Sequence, residues 1–358
     1  MKILHIMTHF SVSSGVARLV SSMIPILVKQ GHEVDVVVLS DRLYSYRSRI
    51  EKVGSRYISL GKENSFIYNP HYIFLLASLL KNYDIVHVHQ FPSTYYAVIA
   101  RIISNAKCRL VLTEHSTLNN RQGKWYLKSI EKFIYHQYDR IVAISEAVKD
   151  NLYQFVDRRL IVSVVYNGIS IDDFKSAQPI LRTKLGVPEN ARLLIQVARF
   201  NPQKDQLTLI KALSQLPSNY HVIFVGDGET LSIHQQKAIE LGVENRAHFL
   251  GIRTDIPALI NSSDIFVLST NFEGFGLAAV EGMAVGKPVI ASNVPGLREV
   301  VEGAGVLFPV GDDKCLANEI ERLFNDNAYR NVVIGKCQQR AQRYDVKIMT
   351  ENYLLIYK

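Results

Sequence analysis

Short apolar runs alternate with helix-length amphipathic segments along the whole chain. Continuous apolar strands separated by helical patterns, such as residues 16–29 and 207–216, are typical of parallel sheets covered on both faces. Because each half repeats this pattern, the sequence predicts two Rossmann-like, doubly wound α/β domains. The strand-like runs are KILHIM, EVDVVVLS, DIVHVHQ, RLVLT, RIVAIS and LIVSVVY in the first half, and LLIQVA, HVIFVG, AHFLG, DIFVLS, PVIAS and GVLF in the second.

The boundary between the halves is predicted within the polar segment 167–179, NGISIDDFKSAQP, which contains an Asn-Gly turn. We therefore expect an N-terminal domain of residues 1–170 and a C-terminal domain of residues 171–340. Residues 341–358 form a predicted helix that crosses back to the first domain. Because open α/β sheets bind ligands at the carboxyl ends of their strands, we expect the two domains to face each other across a cleft lined by strand ends.

One strand end of the second half carries the segment FEGFGLAAVEG, residues 272–282. Gly274, Gly276 and Ala279 fit the G-x-G-x-x-A pattern of dinucleotide-binding proteins. That pattern expects an acidic residue at the end of the next strand to bind the ribose, but PVIAS ends in Ser292 followed by Asn293. The sequence therefore disfavours a nicotinamide site.

The same segment contains two carboxylates, Glu273 and Glu281, on either side of a predicted helix start. They can contact two separate points of one elongated ligand, such as a nucleotide sugar, while the helix N-terminus binds its phosphate. The alternative is structural, with Glu273 favouring the helix dipole and Glu281 lying on the surface. The segment alone leaves both interpretations open.

Two cations follow another strand end of the second half. LLIQVA leads to Arg199, and Lys204 lies five residues later in RFNPQKD. Together an Arg fork and a Lys point charge can bind a pyrophosphate, although taken alone a pair of solvated loop cations explains them more simply. After HVIFVG, Gly226 opens the acid-x-acid pair Asp227 and Glu229. The glycines there are equally typical of a loop against a ligand, and we expect no metal.

Fewer residues of the first half carry candidate chemistry. Gly15 lies in a loop of small residues that opens a helix, where a backbone amide can reach a phosphate or an acceptor, or where the chain makes an ordinary βα turn. His115 follows the strand RLVLT and could donate to a substrate hydroxyl or stabilise developing charge, although a histidine in this position is more often an ordinary loop residue. His87 and His89 alternate on one strand face. Because two ligands do not make a zinc site, core packing explains them better.

The excess positive charge lies in the first half. Residues 1–170 carry 21 Lys and Arg against 12 Asp and Glu, whereas residues 171–358 carry 20 against 21. A basic domain beside a neutral one indicates either an anionic partner, such as a phosphate-bearing acceptor or a membrane surface, or simple solubility. We expect no signal peptide and no membrane span, and the scattered cysteines suit a reducing compartment.

Taken together, these residues resemble the retaining glycosyltransferases of family 4, which have the GT-B fold. The resemblance extends over essentially the whole chain and is most specific at EGFGLAAVEGMAVGKPVIAS, which is similar to the family's E-x7-E element and the strand after it. The N-terminal loop differs, because residues 14–18 are Ser-Gly-Val-Ala-Arg where the family commonly has Gly-Gly-x-Glu-Arg. Further similar segments are RFNPQKD, FVGDGE, AISEAVKD, NGISIDDF and NYLLIY.

The resemblance implies a role for each candidate residue. Arg199 and Lys204 would bind the donor pyrophosphate, and Glu281 would hold the ribose. The donor sugar would be held by Glu273 and by the backbone of Gly274, Phe275, Gly276 and Leu277. Further contacts would come from His115 near the reaction centre, Gly15 on the phosphate or acceptor side, Gly226, and the backbone of Ile252 at the base.

The implied reaction moves a hexose or N-acetylhexosamine, with retention, from a nucleotide-diphosphate sugar to a hydroxyl of a glycan or lipid-linked glycan in surface polysaccharide biosynthesis. We expect a UDP-sugar donor, no metal and no other cofactor, because the cations and a helix N-terminus can stabilise the leaving diphosphate. We expect a cytoplasmic enzyme, peripheral on the inner face of the cell membrane through its basic half, with no nucleic-acid partner. The alternatives are a nucleotide-sugar 2-epimerase on the same fold and a non-catalytic nucleotide-sugar-binding homologue.

Overall fold

The computed structural model divides the chain into two units. Unit 1 consists of Met1–Gly168 and Val346–Lys358, and unit 2 of Ile169–Asp345. The predicted domain limits fell after residues 170 and 340. The structure describes residues 1–12, 14–42, 44–116 and 125–358.

Within its described residues, unit 1 contains a seven-stranded parallel sheet whose strands are largely buried. The strands are β1 (Lys2–Met7), β2 (Glu33–Val38), β3 (Tyr57–Ser59), β4 (Ile85–Val88), β5 (Arg109–Glu114), β6 (Arg140–Ala143) and β7 (Val162–Val164). They are arranged in the order β3-β2-β1-β4-β5-β6-β7. The register places His5 of β1 opposite His87 of β4.

Helices connect the strands of unit 1, as parallel pairing requires. They are α1 (Gly15–Lys29), α2 (Arg47–Glu51), α3 (His71–Leu80), α4 (Ser93–Ser104), α5 (Lys128–His136) and α6 (Glu146–Phe155). The helix at the end of the chain, which we number α15 (Val346–Tyr357), belongs to the same unit and contacts α1. Arg109 Nη1 donates to Tyr357 O at 3.0 Å, which ties α15 to β5.

Unit 2 contains a six-stranded parallel sheet in the order β10-β9-β8-β11-β12-β13. Its strands are β8 (Arg192–Val197), β9 (Tyr220–Val225), β10 (Ala247–Phe249), β11 (Ile265–Leu268), β12 (Val289–Ser292) and β13 (Val306–Phe308). Its helices are α7 (Ile171–Lys175), α8 (Gln206–Gln215), α9 (Leu231–Glu240), α10 (Ile256–Ser262), α11 (Leu277–Val285), α12 (Leu297–Val301), α13 (Asp313–Asn325) and α14 (Asn327–Gln342).

The strands confirm the predicted doubly wound α/β pattern in each unit. Every predicted apolar run contains a strand, and every residue of β9 is buried. The strand β3, in contrast, lies outside every predicted run. Its residues are only partly buried, and it pairs at the sheet edge with β2 alone. In the part of the chain that the structure describes, no helix is both long and apolar enough to cross a bilayer.

Candidate functional site

The strand order of each sheet reverses at one point, and open α/β sheets bind ligands at the carboxyl ends of the strands beside that point. In unit 2 the reversal lies between β8 and β11. Arg199 and Lys204 follow β8, and Glu273 follows β11. In unit 1 the reversal lies between β1 and β4, and the loop after β1 leads to Gly15. The topology thus places most of the predicted residues where a ligand is expected.

An ion pair joins the two loops of unit 2, with Lys204 Nζ donating to Glu273 Oε2. The side chains are 17% and 19% exposed. Backbone contacts support the pair, since Lys204 forms an antiparallel bridge with Thr270, and Asn271 N donates to Gln203 O at 2.8 Å. The sequence motifs place Lys204 and Glu273 on different parts of a ligand and do not predict that the two side chains contact each other.

Arg199 lies directly after β8 and Ala198, and its side chain is exposed. Gln206 Nε2 donates to Arg199 O at 3.2 Å, which fixes the backbone of this loop to α8. Among the described residues, no hydrogen bond or ion pair joins the Arg199 guanidinium to another group. The guanidinium is therefore available to an anion from solvent.

Glu281 lies on α11, and it is 2% exposed. The helix is otherwise built from apolar and small residues, LAAVEGMAV, and it packs against α14 and β11. Burying a carboxylate is costly unless other groups compensate the charge. The interpretation of Glu281 as a surface residue is therefore wrong.

The turn before α11 is built from two glycines and a buried phenylalanine. Gly276 precedes the helix with φ of 90°, and α11 has no acidic residue in its first turn, so Glu273 does not act as a first-turn helix acid. Instead Glu273 Oε1 accepts from Gly274 N at 3.2 Å. Phe275 is 1% exposed, and its ring lies edge-on to the Tyr344 ring with 5.1 Å between the ring centroids. The Phe275 side chain therefore packs inside unit 2 and is not available to a ligand.

Gly296, which the sequence analysis missed, holds the same turn from the other side. Its φ is +75°, and a Cβ there would lie 2.6 Å from Glu273 O and 2.7 Å from Gly274 O. Only glycine allows this approach without displacing the backbone that carries Glu273. The Pro295-Gly296 dipeptide is an ordinary turn pattern, and nothing in the sequence connects it with Glu273.

Two glycines after β9 hold the loop that carries Arg199. Gly226 has φ of +140°, and a Cβ on it would lie 2.1 Å from Ala198 O. Gly228 has φ of +152°, and a Cβ on it would lie 2.1 Å from Phe200 O. Phe200 N also donates to Asp227 O at 3.0 Å. Gly226 therefore affects the site indirectly, because it lets the backbone of Ala198, next to Arg199, approach closely.

The neighbouring candidates of unit 2 are exposed. Ile252 follows β10 and is 58% exposed. Asp227 and Glu229 are exposed too, and Asp227 Oδ1 accepts from Gly228 N at 2.8 Å. Within the described ranges, neither acid belongs to a group of three or more potential metal ligands.

In unit 1, Gly15 is the first residue of α1 and is exposed. Ser14 caps the helix, its Oγ accepting from Ala17 N at 3.3 Å, and the first turn contains no acidic residue. The positive end of the helix dipole is thus not neutralised by an acidic side chain of that turn.

His115 follows β5, remains partly exposed, and is connected to buried imidazoles. Its Nε2 lies 3.2 Å from His89 Nδ1, and His89 Nε2 lies 2.9 Å from His5 Nδ1. Burial lowers the pKa of His5 to about 3, and it lowers the pKa of His89 and His115 as well. These imidazoles are therefore neutral at pH 7, which disfavours a positively charged His115 as the group that stabilises developing charge.

His87 and His89 are buried, which confirms their predicted place in the core, and His5, which the sequence pattern does not single out, lies beside them. His5, His87 and His89 each bring one nitrogen within 4.8 Å of the others. His87 Nδ1 lies 2.6 Å from the Tyr357 hydroxyl, and His87 Nε2 lies 2.7 Å from Thr113 Oγ1. The cluster is thus hydrogen bonded through most of its nitrogens.

Comparison with protein families gives two consecutive matches. Residues 13–173 match the family model described as Glycosyltransferase Family 4, and residues 177–340 match the one described as Glycosyl transferases group 1. Most of the first match lies in unit 1, and the second lies in unit 2. The chain thus carries two glycosyltransferase domains in succession.

Two curated relatives align with most of the chain. N-acetyl-alpha-D-glucosaminyl L-malate synthase of Bacillus anthracis is 26% identical, covering 92% of this chain and 90% of that protein. UDP-Gal:alpha-D-GlcNAc-diphosphoundecaprenol alpha-1,3-galactosyltransferase of Escherichia coli is 28% identical, covering 79% of this chain and 77% of that protein. By name, the first relative is a synthase and the second is a galactosyltransferase.

A solved structure shares the fold. The crystal structure of Anabaena Alr3699/HepE in complex with UDP and glucose matches with a TM-score of 0.84, at 24% identity and over 99% of each chain. Together with the two parallel-sheet units, this likeness confirms the predicted GT-B fold.

Proposed function

Because this chain belongs to the glycosyltransferases, combining a Family 4 domain with a group 1 domain in the GT-B fold, we propose that it transfers a hexose or N-acetylhexosamine from a UDP-sugar, with retention, to a hydroxyl of a glycan or lipid-linked glycan in surface polysaccharide biosynthesis. The observation that carries the proposal is the Lys204–Glu273 ion pair at the strand reversal of unit 2. It offers a donor and an acceptor of hydrogen bonds side by side, next to the loop of Arg199.

The cations bind the donor pyrophosphate in this proposal. The exposed Arg199 guanidinium can take two phosphate oxygens in its planar fork, and Lys204 adds a point charge. Lys204 is already held by Glu273, so little side-chain entropy is lost when the phosphate arrives. The N-terminus of α11 supplies backbone N–H groups to the same anion.

The carboxylates bind hydroxyl groups. Glu273, with the backbone of residues 274–277, holds the donor sugar, because a carboxylate accepts hydrogen bonds from sugar hydroxyls. Glu281 holds the ribose, which gives a function to a carboxylate that is buried in an apolar helix. The Ile252 backbone contacts the base, while Gly226 keeps the loop of Arg199 in place.

The transfer follows a front-face route. The acceptor oxygen bonds to the anomeric carbon as the bond from that carbon to the β-phosphate oxygen breaks on the same face. The bonding electron pair leaves with UDP, and the acceptor's proton passes to a β-phosphate oxygen. Arg199, Lys204 and the α11 N–H groups stabilise the charge that grows on the diphosphate, so the proposed mechanism uses no metal.

Unit 1 contributes to the acceptor and the transferred sugar. His115, partly exposed at the end of β5, donates a hydrogen bond to a sugar hydroxyl, and Gly15 offers the N-terminus of α1 to a phosphate or an acceptor. The names of the relatives support the substrates, since one is a UDP-Gal-dependent enzyme that acts on a diphosphoundecaprenol-linked sugar.

We expect UDP and UDP-sugars to raise the melting temperature of the protein more than ADP, GDP or CDP do, in buffer that contains EDTA. At a concentration of a hundred times Kd, a ligand stabilises by about 2.7 kcal/mol, which corresponds to a shift of about 5–10 °C for a domain of this size. Thermal-shift measurements over a panel of nucleotides and nucleotide sugars provide the check. Equal shifts with every nucleotide would contradict a dedicated UDP site.

The same panel separates the alternatives. The UDP-sugars that raise the melting temperature of the protein are incubated with it, with and without simple glycosides as acceptors. The products are followed by NMR. A 2-epimerase would change the UDP-sugar in the absence of an acceptor, whereas a transferase forms an α-linked product only when one is present. A non-catalytic homologue would show the thermal shift and no turnover of the donor.

Unit 1 also carries features of a membrane-binding surface, and we propose that the enzyme works in the cytoplasm on the inner face of the cell membrane. Its helix α5 exposes Ile130 (47%) and Phe133 (54%) together with Lys128. Exposed apolar side chains among cations are typical of segments that lie in a lipid interface. Phe66 and Phe74 of the same unit are also largely exposed.

Vesicles that contain anionic lipid are expected to capture the protein at low salt, and high salt should release most of it because the attraction is screened. Replacing Ile130 and Phe133 with serine should weaken this binding. The matched control replaces Ile233 and Ile239 of α9 in unit 2 with serine, since these residues are at least as exposed, at 58% and 57%. Sedimentation with vesicles measures both variants. Equal binding of the two would rule out α5 as the membrane contact.

A further inference from the structure

Three imidazoles of unit 1 form a continuous hydrogen-bonded series, which we name the imidazole chain. It runs from His5 on β1 through His89 at the end of β4 to His115 at the end of β5. His5 Nδ1 lies 2.9 Å from His89 Nε2, and His89 Nδ1 lies 3.2 Å from His115 Nε2. The chain therefore leads from a fully buried position to a partly exposed one, where Nδ1 of His115 is its last nitrogen.

The members of the imidazole chain are neutral at physiological pH, because burial lowers the pKa of each. A neutral imidazole carries one N–H group and one nitrogen lone pair. His89 is bonded through both nitrogens, so it must donate with one and accept with the other. The two hydrogen bonds consequently point in the same direction along the chain, and only two arrangements of protons exist.

The buried end of the chain decides between these arrangements. His5 Nε2 is buried and has no hydrogen-bond partner within the residues that the structure describes. If the bonds ran from His115 toward His5, the His5 proton would lie on this nitrogen as a buried, unpaired N–H group. An unpaired buried N–H is rarer in proteins than an unpaired acceptor. The favoured arrangement therefore has His5 Nδ1–H donating to His89, and His89 Nδ1–H donating to His115.

We propose that His5 and His89 are positioning residues that hold His115 in its Nδ1–H tautomer. With Nε2 accepting from His89, His115 has its proton on Nδ1 and presents a hydrogen-bond donor. In the reaction proposed above, on which this role rests, His115 then donates to a sugar oxygen. It does not remove the acceptor's proton, which agrees with the transfer of that proton to the donor phosphate.

A metal site built from His5, His87 and His89 fits the contacts less well. Both nitrogens of His87 are bonded, to the hydroxyls of Tyr357 and Thr113, and both nitrogens of His89 belong to the imidazole chain. Binding a metal through all three residues would break several of these hydrogen bonds. The chain of donors and acceptors keeps them all.

The tautomer of His115 is measured directly by NMR of the full protein labelled with ¹⁵N in its histidine rings. Long-range ¹H–¹⁵N correlations distinguish Nδ1–H from Nε2–H imidazoles, and His115→Gln assigns the signals. We expect the Nδ1–H form in the wild type without any substrate. A wild-type His115 in the Nε2–H form would overturn the proposal, whatever the protein's activity proves to be.

Variants at His5 separate positioning from packing. His5→Asn keeps an N–H donor near the position of Nδ1, whereas His5→Phe keeps the ring and removes the donor. His5→Phe should convert part of His115 to the other tautomer. It should also lower kcat about ten- to a hundredfold with little change in KM, which is the size of effect seen when the hydrogen-bond partner that orients a metal-binding histidine is removed. His5→Asn should restore the tautomer and most of kcat.

The matched control is His87→Phe, which changes an equally buried ring of the same cluster outside the imidazole chain. It loses its bonds to Tyr357 and Thr113, so its melting temperature should fall, but the His115 tautomer should stay as in the wild type. The proposal fails if His5→Phe leaves the tautomer unchanged, or if His87→Phe shifts it equally. If no transfer activity is found at all, the NMR arms still decide the tautomer.

Discussion

Lys204→Met is expected to lower kcat/KM for the UDP-sugar by about a hundred- to a thousandfold. In the proposed reaction Lys204 stabilises the charge that grows on the leaving diphosphate, and loss of one such preorganised donor typically costs this much. Lys204 is 17% exposed and held by Glu273, so water replaces its ammonium poorly. Steady-state kinetics with the donor identified by thermal shift provides the measurement.

The matched control is Lys211→Met, the same change at an exposed lysine of α8 in the same unit. It should leave kcat/KM within about twofold, because a surface charge away from the reacting groups has little effect on the transition state. A comparable loss in both variants would show that general charge, and not the position of Lys204, supports the activity.

A double variant separates catalysis from stability. Lys204→Met alone leaves the Glu273 carboxylate, which is 19% exposed, without its cation, and this should lower the melting temperature. Lys204→Met with Glu273→Gln removes both charges, so the melting temperature should recover at least in part. The activity should not recover, because both groups that hold the donor are gone. If the double variant transfers sugar within about tenfold of the wild type, the ion pair is not the donor site.

The pattern of apolar runs was sufficient to locate each strand of unit 2 along the chain. Buried parallel strands are mainly apolar segments, and each of β8 to β13 lies within such a run, although single polar residues such as Gln196 and His221 interrupt two of them. β3 shows where the pattern stops working, because Tyr57–Ser59 is short, partly exposed and paired on one side only. The formation of such an edge strand depends more on its pairing with β2 than on its own sequence.

Contacts between distant residues of the site could not be predicted in the same way. Lys204 and Glu273 both follow strands, but their contact requires β8 and β11 to be neighbours, and the sequence does not specify strand order. His5 was overlooked for the same reason, since it becomes significant only when β1 lies beside β4. Gly296 needs still finer information, namely the approach of its backbone to Glu273.

The burial of Glu281, in contrast, was open to prediction. The helix around it, LAAVEGMAV, is apolar or small at all positions except Glu281 itself, and a helix that is apolar all round is buried. A glutamate in the middle of such a helix does not lie on the surface. A glutamate kept in such a helix indicates a polar ligand or a polar neighbour, and in the proposed function the ribose of the donor is that ligand.

Gly226→Ala is expected to destabilise unit 2 by at least about 2 kcal/mol and to weaken UDP binding. Gly226 has φ of +140°, a conformation that residues with a Cβ adopt only with strain. The new Cβ would also lie 2.1 Å from Ala198 O, and that contact is backbone, which cannot rotate away. Because Arg199 follows Ala198, the loop must shift together with its guanidinium. Denaturant unfolding and UDP titration measure the two effects.

Two other glycines of unit 2 separate strain from steric clash. Gly242 has φ of +66°, and a Cβ on it would meet nothing within 4 Å, so Gly242→Ala should cost only the left-handed strain, about 1 kcal/mol. Gly335 lies inside α14 with equally open space, and Gly335→Ala should stabilise by about 0.5–1 kcal/mol. Both variants should bind UDP as the wild type does. If Gly226→Ala costs no more than Gly242→Ala, the close approach to Ala198 does not hold the loop, and the hydrogen bonds from Gln206 to Arg199 O and from Phe200 N to Asp227 O are the better candidates.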